Sequence, residues 1–159
     1  KEVYFGGTVL EWFTKGGFDR LIVIDGVVSS DLGIKEDSDL WGVSSTKMSR
    51  KQLDNAGIQK IQHGIVAGIS GYLIAEGERR GLDVTALLAE CNPMYPDARA
   101  ALIVIEGLSE LIDWEIPVQG LLDDARNIEA RVREAFERAQ SMALPPPDTD
   151  DEDDVPMVF

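Results

Sequence analysis

The chain has 159 residues, with 29 Asp and Glu against 15 Lys and Arg and a net charge of -14. That length supports one well-buried core. The charge excludes nucleic-acid binding, which needs clustered cations to neutralise phosphates, and it disfavours an anionic membrane surface.

One cysteine, Cys91, and one histidine, His63, leave no internal disulfide and no multi-histidine metal site to build. A single thiol suits a reducing compartment, so a cytoplasmic location is expected, and the composition calls for no cofactor. No apolar run reaches membrane-spanning length and no signal peptide is visible. The chain opens on KEVYFGGTVLEWF, a pattern that belongs inside a fold, and an N-terminal part is therefore expected to be missing.

In chain order, Val9, Leu10, Trp12 and Phe13 predict a short helix stopped by Gly16-Gly17. LIVID at 21–25, rich in β-branched residues and bounded by Gly26, predicts a buried, parallel strand. Residues 29–39 read as a polar loop, 41–45 as a short strand, and RKQLDNA as a short helix capped by Ser49. Residues 58–61 read as a strand. HGIVAGISGYLIAEGERRG then reads as a glycine-punctuated helix, with Arg79 and Arg80 placed to complement its dipole.

DVTALLAE at 83–90 is the next buried strand, and Asp97 is positioned to cap the helix marked by Ala101, Leu102, Ile105, Leu108, Leu111 and Ile112. A final helix runs from about Leu121 to Met142, with Leu122, Ala125, Ile128, Val132, Ala135, Phe136 and Ala139 along its apolar stripe. The alternation of strands and helices gives an α/β class with a largely parallel sheet. Residues 1–144 form the expected domain and 145–159 a tail.

Several residues are candidates for chemistry. Gly64, Gly68 and Gly71 lie where a strand should pass into a helix, and exposed amides there can hold an anion; Ser70 stands among them. Their spacing is neither the dinucleotide fingerprint nor the P-loop, and close packing of helix on sheet accounts for the same glycines. Glu90 and Asp97 fall at the carboxyl end of a strand, the edge where α/β proteins place ligands, although loop and helix capping explains both acids. His63 precedes the glycines without a G-x-S-x-G elbow, which favours a hydrogen-bonded structural histidine. Cys91 reads as a small buried hydrophobe. Trp12, Phe13, Tyr72 and Trp114 read as core or oligomer packing.

The tail, PPPDTDDEDDVPMVF, combines a stiff proline triplet, six solvated acids and an apolar tip at Met157, Val158 and Phe159. No calcium loop is completed by these acids. The tip has no local core to join, and it is expected to anchor in a pocket on another protein. Burying Val and Phe contributes about 1.5–3 kcal/mol each before ordering costs, so one tail binds in roughly the millimolar to high-micromolar range. Tails multiplied on an oligomer gain avidity by about a hundredfold or more.

The segment HGIVAGISGYLIAEGERRGLDVTALLAE, followed by NPMYPDARAA, resembles the proteasome assembly chaperone family. Gly64, Gly68, Gly71, Ala89-Glu90, Tyr95-Pro96-Asp97 and Ala100-Ala101 stand where that family carries its glycine run, its strand-ending Ala-Glu and its Tyr-Pro-Asp-x-x-Ala-Ala element. LIVIDG and the final helix fit as well, so the resemblance covers about residues 3–142. It implies a three-layer α/β/α domain similar to nucleoside phosphorylases and hydrolases. It further implies a homo-oligomeric, ATP-independent chaperone of archaeal or actinobacterial type that binds the proteasome α-subunit ring. Some members insert a C-terminal hydrophobic–aromatic–any motif into pockets between α-subunits. Here the aromatic, Phe159, is the final residue rather than the penultimate one. The alternative is a phosphorylase- or hydrolase-like enzyme on a small anionic substrate, with Gly64–Gly71 holding the anion and Glu90 as acid/base.

Overall fold

The computed structural model describes residues 2–28, 38–93 and 97–142. Along the chain they form α1 (Glu2–Gly16), β1 (Leu21–Val28), β2 (Leu40–Ser44), α2 (Lys47–Asn55), β3 (Gln59–Lys60), α3 (Gly68–Arg80), β4 (Val84–Cys91), α4 (Ala98–Ile112) and α5 (Gln119–Met142). The four strands make one sheet in the order β1-β4-β2-β3. It is mostly parallel: β1 runs with β4 and β2 with β3, while β2 and β4 are antiparallel.

β4 is central because its sequence tolerates no water on either side. Val84 to Glu90 are buried throughout. Its one buried hydroxyl residue, Thr85, is matched by Ser44 across the ladder, with the two oxygens 3.2 Å apart. Val84 packs with Leu10 of α1 and Leu73 of α3 on one face. Leu87 packs with Leu53 of α2 and Leu111 of α4 on the other, where Ala89 meets Ala100 and Val104. Helices therefore cover both faces, and α5 packs on α4. This is the α/β/α layering expected from the alternation of apolar runs.

Three local expectations are corrected. The cap of α2 is Thr46, not Ser49: Thr46 is extended and its Oγ1 accepts the Ser49 N–H at 3.1 Å. Ser49 is instead buried inside the helix and donates its hydroxyl to Asp83, part of a cluster in which Arg20 Nε also reaches Asp83 at 3.4 Å. Residues 62–67 are irregular rather than helical, because α3 starts only at Gly68. Gly68 takes a left-handed φ of 72°. A Cβ on Gly71 would lie 1.9 Å from the Val66 carbonyl oxygen, so the backbone of the preceding segment folds directly onto this glycine. Finally, the strand at 58–61 shortens to Gln59–Lys60, with Ile58 turned into the core.

Of the aromatic residues, Phe13 is buried, whereas Trp12 and Trp114 are largely exposed.

Candidate functional site

The site is built where β1 runs out from under its covering helices. Leu21 and Val23 pack beneath α1 and α3. Asp25 follows on the same face two residues later, and there its side chain meets the first turn of α3. Ser70 Oγ donates to Asp25 Oδ2 at 2.5 Å, and the Gly26 N–H donates to Oδ1 at 2.8 Å. Ser70 is only 1% exposed, so packing fixes the hydroxyl that orients the carboxylate. α3 has no side-chain cap at Ala67. The Asp25 carboxylate supplies negative charge beside that end, where the helix dipole favours it.

Around this carboxylate opens a cavity of about 820 Å³. One wall is the end of β1 with Leu88 of β4. Another is Trp41 of β2 with Gln59 of β3, and the third is the irregular segment 61–67, which carries His63, Gly64 and Ile65. The size falls within the range of small-molecule sites, and the mixture of apolar walls with a few placed polar groups is typical of them. Lys60 also borders the cavity, but its ammonium group lies 2.7 Å from Asp54 of α2. Lys60 pairs with Gly42, whose face of the sheet packs on Leu53 and Ile58, so that charge is drawn to the opposite face.

The residues singled out in the sequence separate in space. Gly64 lines the cavity, and Gly68, Ser70 and Gly71 form the turn and first helical residues behind it. His63 lies on the cavity wall as an exposed side chain, in place of the hydrogen-bonded structural histidine that was expected. Glu90 is buried at the end of β4, opposite Val27, and is not among the lining residues. Asp97 caps α4, accepting the N–H groups of Arg99 and Ala100 at 3.1 and 3.2 Å, and it also accepts the Asn92 N–H at 3.1 Å. Tyr95 and Pro96, and the tip Met157, Val158 and Phe159, lie outside the described residues.

Cys91 sits beside this edge half-buried. Burial pushes its thiol up, and the Asp97, Asp25 and Glu90 carboxylates push it the same way, which keeps it protonated and a poor nucleophile. Among the described residues no group of three or more His, Cys, Asp or Glu side chains is placed to hold a metal. No helix among them is long and apolar enough to cross a membrane.

Asp25 and Trp41 were missed as site residues. Asp25 reads as part of a strand, and the available signal was an acid interrupting a β-branched run just before a glycine. Trp41 gave no signal, because only the pairing of β2 with β4 brings it opposite Leu88.

A further apolar surface adjoins the cavity. Among the described residues β1 is an edge strand, and Ile24 and Val28 on its other face are 56% and 61% exposed, while Ile65 on the cavity rim is 95% exposed.

The sequence profile of the PAC2 family matches residues 2–135. The uncharacterized protein MJ0106 of Methanocaldococcus jannaschii is 25% identical over 103 residues, covering 65% of this chain and 43% of the relative. The crystal structure of Pyrococcus furiosus PbaA, an archaeal homolog of proteasome-assembly chaperone, is similar with a TM-score of 0.71 at 27% identity, covering 87% of this chain and 60% of PbaA. Pyrococcus furiosus PbaB, an archaeal proteasome activator, shares the fold with a TM-score of 0.65 at 20% identity, over 88% of this chain and 57% of PbaB. The chain thus spans less than two thirds of each of these relatives.

Proposed function

The chain belongs to the PAC2 family, and from that premise we propose that it is an ATP-independent proteasome assembly chaperone or adaptor that binds proteasome α-subunits. In this reading the α/β/α body assembles with copies of itself, and the tail at 145–159 docks Met157, Val158 and Phe159 into pockets of the α-ring. The kinship with PbaA over most of the chain is the observation that carries it. The acidic stalk before an apolar tip supports the division of labour: the body sets geometry and the tails grip.

The mechanism makes and breaks no covalent bond. Binding energy comes from burying the apolar side chains of the tip. The test is recovery of proteasome α-subunits on the 159-residue chain and on a chain ending at residue 154. Recovery is expected to fall by about tenfold or more on truncation. Equal recovery by both would sink tail docking, and no recovery by either would sink the proteasome reading itself.

A further inference from the structure

We propose that the cavity beside Asp25 binds a small organic cation, a primary ammonium or guanidinium group carried on an apolar body. The inference stands apart from the proteasome reading and rests on the charge balance of the cavity. Asp25 brings a full negative charge to the wall, and its hydrogen-bond partners, the Ser70 hydroxyl and the Gly26 amide, are neutral. The Lys60 ammonium is engaged by Asp54 on the other face of the sheet. Among the described residues, the cavity therefore carries a positioned carboxylate with no cationic side chain bonded to it.

The same geometry argues against an anion. The uncapped start of α3 is the natural anion seat in this fold. Asp25, bonded to the Ser70 hydroxyl in the first turn, already sets a covalently tethered carboxylate beside that end. A phosphate entering the cavity would meet this charge at close range. An ammonium or guanidinium group instead gains a charge-assisted hydrogen bond to oxygens already held in place, so little ordering cost remains. The other walls suit the body of such a ligand. Val27, Leu88 and Ile61 are apolar, and Trp41, an aromatic of the kind that attracts cations, lines the same cavity. A chain charge of -14 raises the local concentration of cations around the whole molecule.

The experiment is titration of the 159-residue chain, followed by amide and indole NMR, with phenethylammonium, with N-acetyl-arginine methylamide and with inorganic phosphate. Phenethylammonium is expected to shift the Trp41 indole and the amides of 62–67 saturably, in roughly the millimolar range. Phosphate is expected to leave them unmoved. Asp25→Asn, which keeps an acceptor for Ser70 and removes the charge, should weaken binding about tenfold. Ile65→Lys places a competing cation on the rim without touching the core and should weaken binding severalfold, whereas Ile65→Gln should not. Unchanged affinity in a folded Asp25→Asn variant overturns the proposal, as does saturation by phosphate in place of the ammonium. Saturable response to either cation supports the proposal, and silence to both overturns it. If Asp25→Asn does not fold, the Ile65 pair decides: equal binding by the Lys and Gln variants overturns the proposal.

Discussion

The two edges of the sheet are built on opposite terms. β3 is two residues long and polar, so it offers an incoming strand almost nothing to pair with. β1 is eight residues long and ladders to β4 along its whole length; its other edge is unpaired among the described residues, and Ile24 and Val28 are exposed on the sheet face away from the cavity. Natural sheets blunt their edges with short strands, charges and prolines. β3 follows that practice, whereas β1 has the composition of an interior strand. The composition of a strand therefore reports what it is built to touch, and its position here reports what it does touch. The two disagree at β1 and agree at β3.

Four perturbations test this contrast. The largest effect is expected from Ile24→Lys with Val28→Lys, which gives β1 the charges an edge normally carries. Concentration-dependent association of the 159-residue chain, measured by light scattering, should fall about tenfold or more, while Gln59→Lys on β3 should change it little. Equal effects at the two edges would remove the distinction. Next comes Gly71→Ala, which drives a methyl group into the Val66 carbonyl. It should cost about 1–3 kcal/mol in urea unfolding, and it should displace the segment that bridges the β3 side to α3.

Asp83→Ala removes the acceptor shared by the buried Ser49 and the partly buried Arg20, which ties the residue before β1 to α2. A loss of about 1–3 kcal/mol is expected, against about 0.5 kcal/mol or less for Lys60→Ala, which breaks an exposed pair at β3. The smallest effect concerns α3. Glu76 is held down to about 2, chiefly by its hydrogen bond to Arg79 with Arg80 assisting. A depressed carboxylate stabilises the fold above its unfolded value of 4.5, and that contribution is lost as pH falls toward about 2. Glu76→Gln should therefore flatten the stability profile only in that acid window, with the side-chain carbon shift of Glu76 as the direct check.

The sequence revealed the fold where one interaction dominates. VTALLAE is apolar on both faces and could only be central, and Asp97 stands at the right offset to cap α4. It was less informative where two interactions compete for one residue. Thr46 and Ser49 are both good caps, and burial of Ser49 against Asp83, a contact across 34 positions, decides between them. The glycines at 64–71 read as a group, yet they do different things: Gly64 lines the cavity against Ile61, Gly68 turns the chain and Gly71 admits a carbonyl. Asp25 was hidden because a strand's alternation says which face a residue takes and not which helix ends above it.

The Val66 end of the segment 61–67 is seated by its own carbonyl on Gly71, while the side chains of Ile65 and His63 are exposed. Sequence and placement are thereby decoupled at those two residues. The lining of the cavity can be rewritten at those two positions while the frame stays fixed, which makes this stretch a natural place for relatives to diverge in what they recognise, and a practical one for grafting a new specificity.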